Sequence, residues 1–131
     1  MDKLKVGSKV IDTLVAVTDK DHERGLMFQT WPPPVMSFPY NVAAVRKFWM
    51  KNTISPLDLI FCRNGKVVSI HTGSPLSLDY IGPNQPTDLV VEMPQGMTKV
   101  LGVTVGQDIS LYCSLRTIAA RYSHTLSKIA Q

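Results

Sequence analysis

Long apolar runs are missing from this 131-residue chain. Stretches such as Leu57 to Cys62 fall far short of the roughly 20 residues that a membrane-spanning helix needs, which predicts a soluble protein with no membrane partner. Cysteine is scarce: Cys62 and Cys113 permit at most one disulfide, and both sit in alternating apolar stretches where a thiol behaves as a small hydrophobe. Two reduced core thiols are expected. Behind Lys3 and Lys5, the residues Gly7, Ser8, Lys9 and Asp12 break up any apolar stretch of a leader, so the expected location is the cytoplasm. Acidic residues are absent after Asp108, and the net charge of +4 is largely a property of the tail. Residues 1–113 carry 11 basic and 10 acidic side chains, whereas residues 114–131 carry Arg116, Arg121 and Lys128 with no acid. With no basic face interleaved with aromatics in the body, nucleic acid is not the expected partner. Reaction signatures are missing too: no phosphate-cradling glycine loop, no Gly-x-Ser-x-Gly elbow, no His-x-x-x-His and no Cys-x-x-Cys. His22, His71 and His124 are scattered, so no metal and no cofactor is expected.

What is present reads as one folded domain. Hydrophobic residues make up 44%, too many for disorder, while nine prolines and eight glycines argue against a helical bundle. Val10 to Val17 is β-branched and weakly alternating, a strand. Thr18-Asp19-Lys20-Asp21 then offers a helix cap, predicting a short helix over about 19–28. From Thr30 to Asn41, Trp31-Pro32-Pro33-Pro34 and Phe38-Pro39-Tyr40 predict an ordered loop or edge segment, either a hydrophobic flap on the core or a lid over a pocket. Val45 to Thr53 and Pro56 to Cys62 read as strands. Asn64-Gly65 centres a hairpin turn into Val67 to His71. Ser74 to Thr87 is loop and Leu89 to Met93 strand; Pro94 to Leu101 is a short helix closed by Gly102, and Val103 to Val105 and Ile109 to Cys113 are strands. After Cys113 the period changes: Leu115, Ile118, Ala119, Tyr122, Leu126 and Ile129 form one stripe of an amphipathic helix. That stripe is free to pack on its own sheet, on a second copy or on a protein partner. The expectation is a mainly β, compact sandwich or barrel-like domain over residues 1–113, with two short helices and an added amphipathic helix over 114–131.

Charge within apolar strands is the chemically informative feature. Lys51 and Asn52 lie among large apolar residues, Asp58 sits in Pro56-Leu57-Asp58-Leu59-Ile60, and Glu92 follows Val90-Val91. Each charge is costly to bury alone, so these side chains either face water or converge. A convergent set makes Lys51, Asp58 and Glu92 candidate catalytic residues, a carboxylate as general base beside an electrostatic lysine. The alternative is a structural ion pair that fixes strand register.

The motifs Phe48-Trp49-Met50-Lys51-Asn52-Thr53, Pro56-Leu57-Asp58-Leu59-Ile60-Phe61 and Asn64-Gly65-Lys66-Val67-Val68 resemble the central signature of a prokaryotic and phage-type family, domain of unknown function 192. Gly25-Leu26-Met27 resembles its upstream motif; Val90-Val91-Glu92-Met93-Pro94-Gln95-Gly96, Leu101-Gly102-Val103 and Val105-Gly106 resemble its downstream one. The resemblance covers about residues 10–113. It implies a compact β-sandwich or barrel-like domain with short helices, often carried behind a leader, and no known reaction. By family position it singles out Gly25, Leu26, Met27, Trp49, Met50, Lys51, Asn52, Thr53, Asp58, Glu92 and Gly96. The chain departs from the family at Asp21-His22-Glu23-Arg24, where an arginine is replaced or displaced, at Gln29, and in the proline-rich stretch ending at Val35-Met36.

The expected function is a small, non-catalytic binding or accessory domain. Its cleft lies near the Trp-Met-Lys-Asn-Thr segment, with Met27, Trp49, Met50, Lys51, Asn52, Thr53, Asp58 and Glu92 as ligand-binding candidates for a small polar molecule or a peptide. The alternatives are an acid-base hydrolase using Asp58 or Glu92 with Lys51, and a protein-interaction or dimerisation module acting through residues 115–129.

Overall fold

Strands dominate residues 1–129, the part of the chain that the computed structural model describes. In order these are β1 (Lys3–Val6), β2 (Lys9–Asp12), β3 (Leu14–Val15), α1 (Asp19–Arg24), β4 (Met36–Val45), β5 (Leu57–Arg63), β6 (Lys66–Gly73), β7 (Pro86–Pro94), α2 (Met97–Leu101), β8 (Ile109–Tyr112) and α3 (Leu115–Ile129). They form two open sheets, of order β2-β1-β8 and β3-β4-β7-β5-β6, and neither closes into a barrel. Among the described residues no helix is long and apolar enough to cross a membrane.

The larger sheet is covered on both faces, which is why β5 and β7 read as nearly unbroken apolar runs. Side chains alternate across the sheet, so β5 divides its own residues between two cores. Ile60 and Cys62 join Leu4, Val6, Val67, Val91, Met93 and Ile109 between the sheets. Leu57, Leu59 and Phe61 join Ala16, Leu26, Met36, Phe38, Met50 and Val90 on the opposite face, under α1 and the segment 46–56. Full burial of each such Leu, Ile or Phe contributes about 1.5–3 kcal/mol.

Local sequence explains several elements directly. Thr18 Oγ1 accepts from the Asp21 amide at 3.0 Å and the Asp21 carboxylate accepts from the Thr18 amide at 3.1 Å, the reciprocal cap that starts α1. Asn64 (φ 50°) and Gly65 (φ 75°) both take the left-handed conformation that a tight hairpin between β5 and β6 demands. Gly102 (φ 68°) ends α2.

Elsewhere tertiary context changes the outcome. The stretch 10–17 is not one strand: β2 stops at Asp12 and the chain changes sheets at Thr13, whose buried hydroxyl meets Ser37 Oγ at 2.8 Å. Helix α1 stops at Arg24, ended by Gly25 (φ 51°), short of the expected residue 28. The aromatic proline segment supplies β4, because the two-residue β3 pairs only with Met36 and Ser37 and leaves Pro39 beyond it, where a missing donor costs nothing. Conversely, Val45 to Thr53 is not a strand. Only Phe48 bridges, to Ile81, and the chain turns at Lys51-Asn52, where Thr53 donates to the Met50 carbonyl. Val103 to Val105 is also irregular.

Helix α3 is tied down by polar contacts. The Asp2 carboxylate accepts from the Ser114 amide at 2.7 Å and Thr117 Oγ1 at 2.8 Å, and Lys128 pairs with Asp19 at 2.6 Å. Its apolar Leu115, Tyr122 and Ile129 remain exposed.

Candidate functional site

The period-2 rule sends Asp58 and Glu92 to opposite faces of the same sheet. The register between β5 and β7 pairs Leu59 with Glu92 and Asp58 with Met93, so Glu92 shares a face with Leu59 while Asp58 shares one with Ile60. Expected convergence of Lys51, Asp58 and Glu92 therefore fails at Asp58. Its carboxylate accepts from the Gly96 amide at 3.0 Å, the Thr98 amide at 3.1 Å and Thr98 Oγ1 at 2.6 Å. Those contacts make Asp58 the cap of α2, supplied from a neighbouring strand because Gly96 has no side chain to do it. An ion pair that fixes register is absent here as well; backbone and hydroxyl donors satisfy the charge.

Glu92 has a different environment. It lies on β7, the central strand, between Met36 of β4 and Leu59 of β5, and is 4% exposed. Burial pushes its carboxyl up to about 8. Among the described residues no hydrogen bond or ion pair reaches it; Lys3, Lys66 and Lys128 pair elsewhere. The turn after α1 passes close above: a Cβ at Gly25 would stand 3.3 Å from Glu92 Oε1 and 3.5 Å from Phe38 Cζ. A glycine there leaves the carboxyl room and supplies the positive φ that ends the helix.

Around this carboxyl lies a cleft of about 200 Å³. Its walls are aromatic: Phe38, Tyr40, Phe48 and Trp49, with His22 from α1. Phe38 and Phe48 meet edge to face at 5.1 Å, and His22 leans on Tyr40 at 5.0 Å. Burial pushes the Tyr40 hydroxyl up to about 12, with Arg46 opposing and Glu92 adding to the rise, so it stays protonated. Burial lowers the His22 imidazole, whose Nδ1 is enclosed without a partner. Three basic residues, Arg24, Lys47 and Lys51, and the acidic Glu23 also line the cleft. Arg46 lies 3.6 Å over the Tyr40 ring and donates to the carbonyls of Val42, Ala44 and Thr87, while Lys47 donates to the Gly82 carbonyl and Asn84. At the mouth, Lys51 Nζ sits 5.2 Å from the Trp49 ring, and that ring stacks on Tyr80.

Of the residues singled out from sequence, Gly25, Leu26, Met27, Trp49, Lys51, Thr53 and Glu92 line this cleft. Met50 does not: it is wholly buried core, and a Cβ at Gly73 would stand 2.5 Å from its Sδ. Asn52 does not either, being an exposed turn residue (φ 55°) whose carbonyl accepts from the Phe28 amide at 2.9 Å. Phe38 and Tyr40 come from the aromatic proline stretch, expected as a flap or a lid over a pocket, whereas His22, Glu23, Arg24, Lys47 and Phe48 are lining residues that the sequence reading does not single out. Phe38 and Tyr40 do stand two residues apart, a one-face strand signal, but the intervening Pro39 concealed it. A second, more open groove of about 490 Å³ runs from His22 and Tyr40 to Arg121, His124 and Lys128 of α3. Among the described residues no three His, Cys, Asp or Glu side chains gather as metal ligands.

Two solved structures share this architecture. A protein of unknown function from Novosphingobium aromaticivorans is 28% identical, with a TM-score of 0.75 over 82% of this chain and 83% of its own. A protein from Sinorhizobium meliloti, provisionally described as a transcription regulator, is 29% identical, with a TM-score of 0.76 over 84% of this chain and 92% of its own. No curated protein matches the chain. Residues 3–111 match the family model DUF192, described as an uncharacterized ACR, and stop just short of α3. The chain belongs to the DUF192 family.

Proposed function

We propose that this domain is a binding module that holds a small organic ligand in the cleft above Glu92. One observation carries the reading: a buried carboxyl with no hydrogen-bond or ion-pair partner among the described residues lines an aromatic cleft that is open to solvent. A buried ionisable group left unsatisfied is costly, and a ligand group that satisfies it recovers that cost. Trp49 and Lys51, flanking the mouth, supply stacking area and a charge. Among the described residues that line the cleft there is no serine, cysteine or lysine paired with an adjacent base, so the binding reading rests on Glu92 and the aromatic walls.

A ligand-stabilisation screen of small polar compounds, followed by titration calorimetry, tests this. Hits are expected to lose affinity in Trp49→Ala and Lys51→Ala while both variants keep the parent fold. Unchanged affinity for every hit in both variants places binding elsewhere. A second reading, acid-base catalysis, rests on Glu92 alone, since its carboxyl titrates near neutral pH and Asp58 stands on the far face. Any turnover found would have to vanish in Glu92→Gln; activity retained there ends that reading.

A further inference from the structure

We infer that the ligand of this cleft carries a cationic nitrogen, a primary ammonium on a small apolar skeleton, which seats against the Glu92 carboxyl. The inference rests on the binding reading above and adds the ligand's chemical class.

Three features of the cleft select a cation. Glu92 brings a potential negative charge into the cleft, and no described residue hydrogen-bonds or ion-pairs with it. Arg24, Lys47 and Lys51 line the cleft together with Glu23, yet among the described residues none of these cations bonds to the Glu92 carboxyl: Lys47 is turned to the Gly82 carbonyl and Asn84, and Lys51 lies over the Trp49 ring. Finally, the walls are π-faces: Phe38, Tyr40, Phe48 and Trp49 surround the carboxyl, and the negative face of an aromatic ring attracts a cation. One such contact exists already at the mouth, where Lys51 Nζ lies over Trp49. Once the carboxyl is ionised, above about pH 8, an anionic ligand meets a like charge beside it, and a purely apolar one leaves it without a partner. A volume of about 200 Å³ suits a single ring or a short alkyl chain.

Three probes of one size separate the possibilities: benzylammonium, benzyl alcohol and phenylacetate, each titrated into the full chain at pH 8.5, where the Glu92 carboxyl is ionised. Amide shifts of residues 24–27, 48–53 and 92 locate binding. A charge-assisted hydrogen bond is expected to make benzylammonium at least about 10-fold tighter than benzyl alcohol. Glu92→Gln, which keeps the shape and removes the buried charge, should bring the two within about 2-fold. Equal binding of all three probes in the cleft, or a preference for ammonium that survives Glu92→Gln, overturns the cationic class and leaves the binding reading standing. If none of the probes moves those amides at about 10 mM, where even an affinity near 4 kcal/mol would register, both inferences fall.

Discussion

Two carboxylates that look alike in the sequence have opposite roles, and single substitutions separate them. Glu92 binds its proton more tightly in the folded chain, at about 8 against an ordinary value of 4.5. Between those values the folded state holds more protons than the unfolded one, so stability falls as pH rises. The neutral carboxyl's contribution is intact below pH 4.5 and is lost as the pH climbs through 8. At about 1.36 kcal/mol per unit the whole window amounts to something on the order of 5 kcal/mol. Urea denaturation from pH 5 to 9 should show this decline in the parent chain and a flatter profile in Glu92→Gln, which becomes the more stable protein above about pH 7. Parallel profiles would mean that water or a rearrangement solvates the charge. Asp58 behaves in the reverse sense: Asp58→Ala strips α2 of three hydrogen bonds to a charged acceptor, a loss of roughly 2–4 kcal/mol. The cleft on the other face should bind its ligand as before. Sequence marks both residues as charges among apolar neighbours, but it cannot tell which face each takes. That depends on the pairing of Leu59 with Glu92, a register set by strands far apart in the chain.

Elements whose signal is local were the legible ones. The Asn64-Gly65 turn needs only two residues with positive φ, and the α1 cap needs only Thr18 and Asp21; both stand where the sequence places them. Gly65→Ala imposes a side chain on φ 75° and should cost about 1 kcal/mol, read from the urea midpoint. Long-range pairing overrode propensity where the signal was not local. β4 tolerates Pro39 because β3 ends before it, and Phe48-Trp49 reads as strand yet finds only one bridge partner. The stripe on α3 was legible as a helix, but its packing was not, since its anchors are single polar groups in distant segments, Asp2 and Asp19. Because Leu115, Tyr122 and Ile129 are exposed, α3 adds little apolar burial to the domain. A chain ending at Ser114 should therefore keep its far-UV β signature and lose no more than about 1–2 kcal/mol. Collapse of the β signature on truncation would show that α3 is integral to the core rather than laid along it.

At the scale of the whole molecule, β5 ties the two cores together, since Cys62 packs between the sheets while Phe61 beside it packs under α1 and the segment 46–56. Removing β5 from the sheet uncovers both at once, which makes opening of either core a global event. The cysteines report on that directly. Cys62 is wholly buried and burial pushes its thiol well above the usual range, whereas Cys113 lies half-buried near the start of α3, 3.7 Å from the Arg121 guanidinium. With a thiol-specific chromophore at neutral pH, Cys113 should label quickly and Cys62 only through the unfolded state, slower than a free thiol by about 10³-fold to 10⁸-fold. In Cys113→Ser the slow phase alone remains, and its logarithm should rise with urea along the slope of equilibrium unfolding. A Cys62 rate that is fast, or indifferent to urea, would mean that β5 detaches locally while the rest of the sheet holds. The two faces would then be separate cooperative units, and the register that keeps Glu92 under its cleft would no longer be guarded by the full stability of the fold.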